Sequence, residues 1–148
     1  MKLEDELKSK FRNEAQKARL NIYFTYNFIG GKMQELMKSY GLTATQYNIL
    51  RILRGQETKT ASVGMIKERM IEKNSDVSRL LDRLLAKNFI ERNESKSDRR
   101  QKDVKILKSG LDLLKKMDSC EEKSDQLLSN LSEKEIKELN YLLDKIRE

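Results

Sequence analysis

The chain has no proline and no histidine, one cysteine (Cys120) and only 6 glycines in 148 residues. No apolar run approaches the roughly 20 residues of a membrane span. Without proline, with little glycine and with 37% of residues charged, the composition favours long helices over all-β or loop-rich folds. Imidazole is the commonest metal ligand and general base, so its absence removes most hydrolase and metalloenzyme schemes. A single thiol excludes an intramolecular disulfide or a Cys-rich zinc site, as expected in a reducing compartment. Gly30-Gly31 lacks the spacing of a P-loop or a dinucleotide fingerprint. Carboxylate pairs such as Glu121-Glu122 sit in ordinary helical charge patterns. The start, Met1-Lys2-Leu3-Glu4-Asp5, is charged where a signal peptide is apolar. The expectation is a soluble, cytoplasmic protein that is not an enzyme, with no catalytic residues, cofactor or metal.

What is present is positive charge: 31 Lys and Arg against 24 Asp and Glu, a net +7. A polyanionic partner fits this excess, which does not choose among DNA, RNA and anionic lipid. Apolar residues at Leu7, Phe11, Ala15, Ala18, Ile22, Tyr26, Ile29, Met33 and Met37 recur every three or four positions. They predict one long helix over residues 3–40, bent or broken at Gly30-Gly31. Gly41 ends it. Thr43 and Gln46 have capping-box spacing, flanked by Leu42 and Tyr47 as a hydrophobic staple, and open a helix to about Leu53 with Tyr47, Leu50 and Leu53 inward. Residues 55–59 form a polar connector.

Ser62 caps a short helix expected to reach Ile71, with Val63, Ile66 and Met70 inward, and Lys73-Asn74 makes a turn. A second helix is predicted over residues 75–87. Its inner face is Val77, Leu80, Leu81, Leu84 and Leu85, and its opposite face is Ser75, Arg79 and Asp82, flanked by Ser78 and Arg83. Two short helices at a tight turn form a helix-turn-helix candidate. Asn88 suits a left-handed helix stop. Residues 89–93 and 103–107 read as the strands of a β-hairpin whose tip is basic. The remainder is helical, along Leu113, Met117, Cys120, Leu127 and Leu131. A second capping box, Ser132 with Glu135, opens a last helix with Ile136, Leu139, Leu143 and Ile146 on one side. The first and last helices have apolar stripes but no core of their own, which points to packing against a second copy.

This order of mainly α elements with one hairpin resembles the MarR family of winged-helix regulators, over residues 42 to 117. The resemblance rests on Leu42-Thr43-Ala44-Thr45-Gln46-Tyr47-Asn48-Ile49-Leu50, similar to the family's opening helix, and on residues 76–92, DVSRLLDRLLAKNFIER, similar to its recognition helix and first wing strand. Ser97-Asp98-Arg99-Arg100 matches the wing, and Gly110 the glycine of the helix that follows. Asn88 stands where the family commonly has glycine, and Leu107 where it commonly has threonine, which leaves the start of the next helix open.

The resemblance implies an α+β winged helix-turn-helix over residues 41–107, with flanking dimerisation helices at 1–40 and 108–148, as one intertwined unit. It implies a homodimeric, sequence-specific regulator of duplex DNA, a repressor released by a small lipophilic or aromatic effector. Two recognition helices would enter successive major grooves roughly 34 Å apart on a near-palindromic operator. Taken alone, a polar helix face is usually just solvated. A basic hairpin beside it shifts the reading toward DNA. The candidate DNA-binding residues are Ser75, Asp76, Ser78, Arg79, Arg83, Arg92, Lys96, Asp98, Arg99, Arg100 and Lys102. Ser75, Asp76, Ser78 and Arg79 would meet base edges, and Arg83 phosphate, with Asp76 either receiving a cytosine amino group or orienting an arginine. By the family's pattern Asp98 holds Arg100 for the minor groove, and Arg99 meets phosphate. The alternative is a winged-helix module that binds protein without DNA. Cys120 is read as a small buried hydrophobe rather than a redox sensor.

Overall fold

The apolar stripe of the first forty residues folds as two helices, and the break is not at the glycines. In the computed structural model, which describes residues 2–95 and 102–148, α1 (Leu3–Leu7) stops at Lys8, whose backbone is left-handed at φ 46. α2 (Glu14–Lys38) then starts afresh where Asn13 Oδ1 accepts the Gln16 N–H at 2.8 Å. It runs unbroken through Gly30-Gly31, against the expected bend. The physical reason is one of magnitude. Each glycine costs about 1 kcal/mol, whereas a break creates two further helix ends, each with up to four unpaired backbone groups. At Gly41, left-handed at φ 68, the Leu42 N–H donates to the Met37 carbonyl at 3.3 Å and stops the helix.

The chain forms two compact units, residues 1–47 and 48–148. In the first, Lys17 of α2 pairs with Glu4 of α1 at 2.5 Å. α3 (Ala44–Arg54) opens with the expected capping box. The Gln46 N–H donates to Thr43 Oγ1 at 3.2 Å, and the Thr43 N–H donates to Gln46 Oε1 at 3.1 Å. Tyr47, Leu50 and Leu53 are buried as expected.

In the second unit the connector leads to a strand that the sequence reading did not anticipate, β1 (Thr60–Ser62). It is followed by α4 (Val63–Arg69), α5 (Val77–Ala86), β2 (Ile90–Glu94) and β3 (Lys102–Ile106). The three strands form an antiparallel sheet in the order β1-β3-β2, with Ala61 and Arg92 both opposite Val104. The hairpin strands lie within one residue of expectation. α4 ends before Ile71, which is 80% exposed, and α5 begins at Val77 rather than Ser75 because Asp76 takes the cap.

At the far end of α5, Asn88 is left-handed at φ 58. The Phe89 N–H donates to the Leu84 carbonyl at 3.1 Å and the Asn88 N–H to the Leu85 carbonyl at 2.9 Å, the double closure anticipated for a left-handed cap. Buried side chains of this unit include Ile66, Met70, Leu81, Leu84, Ile90 and Val104.

α6 (Lys108–Lys116) begins after Leu107, which makes no side-chain cap. Ser109 does not take over that role, because its hydroxyl donates to the Asn88 carbonyl. Met117 separates α6 from α7 (Asp118–Asp125), and a 3-10 turn, Gln126–Leu128, follows. Ion pairs Arg51–Glu121 at 3.0 Å and Arg54–Asp118 at 2.8 Å join the end of α3 to α7. Cys120 is 2% exposed and buried, as expected of a small hydrophobe.

α8 (Glu133–Lys145) opens with the second predicted box. The Ser132 N–H donates to Glu135 Oε2 at 2.8 Å, and these hydrogen bonds from the Ser132 hydroxyl and backbone hold the Glu135 carboxyl below its ordinary range. No residue of α8 is buried. Among the described residues no helix is long and apolar enough to cross a membrane.

Candidate nucleic-acid interface

The helix-turn-helix is built from α4, the turn over residues 70–76, and α5. Ser62 Oγ accepts the Met65 N–H at 3.1 Å and starts α4. Ile66 and Met70 are buried beneath it. The turn is hooked to α3, since the Ile71 N–H donates to Asn48 Oδ1 at 3.3 Å. That contribution of Asn48 was not foreseen, because nothing local in the sequence relates positions 48 and 71. Within the turn the Ser75 hydroxyl donates to Glu72 Oε2 at 3.1 Å, and Lys73 Nζ donates to the Glu68 carbonyl.

α5 is divided by its periodicity into a buried and an open side. Val77, Leu81 and Leu84 are buried and Leu80 is half-buried. Leu85, expected to face inward, is 44% exposed. Leu85 follows Leu84 by about 100°, which carries it off the edge of the core-facing stripe. Ser78, Arg79, Asp82 and Arg83 are exposed together on the other side. Asp76 is exposed at the start of the helix. Its Oδ1 accepts the Arg79 N–H at 3.1 Å, so it caps the helix start. Ser75 is half-buried.

Three of the cations proposed from sequence or near them are held in ion pairs on the hairpin. Arg92 Nη1 lies 3.3 Å from Asp82 Oδ1 of α5, Lys102 lies 3.3 Å from Glu94, and Lys105 lies 3.7 Å from Glu91. Lys102 is exposed, whereas Arg92 is half-buried. Lys96, Asp98, Arg99 and Arg100, assigned to the wing tip, lie outside the described residues. Lys67 and Arg69 of α4 are also exposed, and positive charge at exposed helical positions was the signal available to find them.

The arrangement presents a polar, arginine-bearing helix face fixed at its start by a cap, at its end by a left-handed turn, and at its side by a hairpin. A helix of this width fits the major groove, and its amino-terminal side chains are those that reach base edges.

Comparison with known proteins agrees with this geometry. Residues 42–102 match the model of the MarR family. The Escherichia coli HTH-type transcriptional regulator PapX is 25% identical over 89 residues, 60% of this chain and 54% of PapX, so the chain spans about half the length of that curated relative. Staphylococcus aureus MepR, in a crystal structure with DNA, superposes with a TM-score of 0.79 at 23% identity, covering 86% of this chain and 94% of that one. Bordetella bronchiseptica BpsR, whose DNA binding is regulated by 6-hydroxynicotinic acid, superposes with a TM-score of 0.78 at 23% identity, covering 88% of this chain and 98% of that one. At these identities the likeness speaks for the fold. The match over residues 42–102, the helix-turn-helix and hairpin, and these neighbours agree on a winged-helix fold that is similar to that of the MarR family.

Proposed function

We propose that the chain is a homodimeric, sequence-specific regulator of duplex DNA, a repressor released by a small lipophilic or aromatic effector. The observation that carries this reading is the exposed face of α5, where Ser78, Arg79 and Arg83 are open while Val77, Leu81 and Leu84 lock the opposite face into the core. Arg79, at the third helical position, is the side chain for a base edge, and Arg83 one turn later is the side chain for phosphate. Residues 41–107 are the reading region. The helices at 1–40 and 108–148 carry the contacts between copies, since both α2 and α8 leave apolar side chains uncovered, among them Tyr23, Tyr26, Tyr141 and Leu142. The MepR–DNA complex and the ligand control of BpsR support the DNA and effector parts as properties of those proteins.

The test is Arg79→Ala measured on two duplexes, one selected from a random pool by the wild-type protein and one random. The expected result is a loss of about 1–3 kcal/mol on the selected duplex with little change on the random one. Equal loss on both would move Arg79 to phosphate, and a wild-type protein that selects no sequence would overturn the reading.

A further inference from the structure

We propose that Arg92 is a positioning residue, which sets the wing against α5 through Asp82 and does not bind DNA itself. This rests on the DNA-binding reading above and reassigns a residue that the sequence placed among the candidate DNA-binding ones. Side chains alternate along a strand, so Arg92 shares the face of Ile90, which is 1% exposed. Its cross-strand partner is Val104, and that of Ile90 is Ile106; these two are 0% and 2% exposed. Arg92 therefore occupies a position that the register directs at the core. Its Nη1 reaches Asp82 Oδ1 at 3.3 Å, and the arginine side chain is 27% exposed against 64% for the aspartate. Its Nε is buried and has no hydrogen-bond partner among the described residues.

An arginine serving phosphate keeps its guanidinium in water until DNA arrives. Arg92 has lost water at Nε and is left with the one carboxylate of α5 that lies within its reach. Asp82 explains why that place is needed. It projects from the exposed face of α5 beside Arg79 and Arg83, where an unpaired carboxylate repels phosphate. Pairing with Arg92 screens that charge and fixes the angle between helix and hairpin. The Lys102–Glu94 and Lys105–Glu91 pairs differ from it, because each lies within the hairpin and leaves α5 untouched.

The experiment compares wild type, Asp82→Ala, Asp82→Glu, Arg92→Gln and the double variant Asp82→Ala/Arg92→Gln on the selected duplex, across a salt series. Asp82→Ala and Arg92→Gln should each weaken binding about three- to tenfold, the double variant no more than the worse single, and Asp82→Glu should keep near wild-type affinity. The slope of log K against log salt should stay unchanged in all of them, since no phosphate contact is lost. Tighter binding by Asp82→Ala, or a slope reduced by about one in Arg92→Gln, would overturn the proposal. Amide hydrogen exchange at Glu91 and Asn93 in the free protein gives a reading independent of DNA. It should speed up in both single variants and not in Asp82→Glu, and unchanged exchange in the singles overturns the clamp even for a protein whose DNA binding stands. A wild type that binds no duplex ends the DNA reading alone, with the exchange data still deciding the clamp.

Discussion

A Cβ on Gly110 would lie 2.6 Å from the Phe89 carbonyl oxygen and 2.8 Å from Cγ1 of Ile106. Neither neighbour can yield easily. The Phe89 carbonyl accepts the Leu107 N–H at 2.9 Å, and Ile106 is 2% exposed. Glycine to alanine inside a helix normally stabilises by about 1 kcal/mol, so the sign here is reversed by the close approach. Gly110→Ala is expected to lower stability by about 1–3 kcal/mol, read as a lower urea midpoint at unchanged m-value. Glu135 tests the opposite kind of residue, one fully open to water. Its carboxyl is held down by the Ser132 hydroxyl first and the Ser132 backbone N–H second. A depressed carboxyl contributes stability that is present above its unfolded value, near the ordinary 4.5, and lost as pH falls through the lower folded value. In a carbon-detected titration the Glu135 midpoint should sit below 4.5 and should rise toward that value in Ser132→Ala.

Between elements, the wing carries the next expectation, for residues assigned by family resemblance. A guanidinium in the minor groove reads groove width, and one on phosphate reads neither width nor base. Arg100→Ala should thus weaken operator binding most where the flanks are A·T-rich. Arg99→Ala should weaken all duplexes alike and lower the salt slope by about one. Both outcomes are read by anisotropy titrations on duplexes that differ only in their flanks. What the sequence revealed at this scale followed the range of the forces involved. The Thr43–Gln46 and Ser132–Glu135 boxes were legible because each is complete within four residues. The left-handed turn at Asn88 was legible for the same reason. β1 was not, since Thr60–Ser62 is three residues long and exists by pairing with Lys105, Val104 and Asp103. The Asn48 hook on Ile71 and the Asp82–Arg92 pair join residues that only the folded chain brings together. The helix break was misplaced to the glycines because propensity is a small cost spread along a helix. The Asn13 cap, which starts α2, was the better local signal.

For the molecule as a whole, the uncovered side chains at both ends of the chain set the expectation of a dimer. Tyr23 and Tyr26 of α2 are 59% and 61% exposed, and Ile146 beyond α8 is 67% exposed. Apolar surface in contiguous stripes is a mark of an interface. Sedimentation equilibrium at micromolar concentration should give twice the mass of the chain, and a monomer would refute the arrangement. Truncation after Asn130, which removes α8, should leave a monomeric or aggregating protein. Such a dimer would carry two readers, and the short corner at Asn88 sets how each one works. Only Lys87, Asn88 and Phe89 separate the end of α5 from the start of β2, and the Phe89 and Asn88 amides are both tied back to the helix. A long tether between helix and hairpin would make their two contacts separate binding events, linked by a low effective concentration. A three-residue corner with its amides bonded has no such slack. In the proposed complex, helix and wing would then arrive at DNA, and leave it, as a single kinetic step.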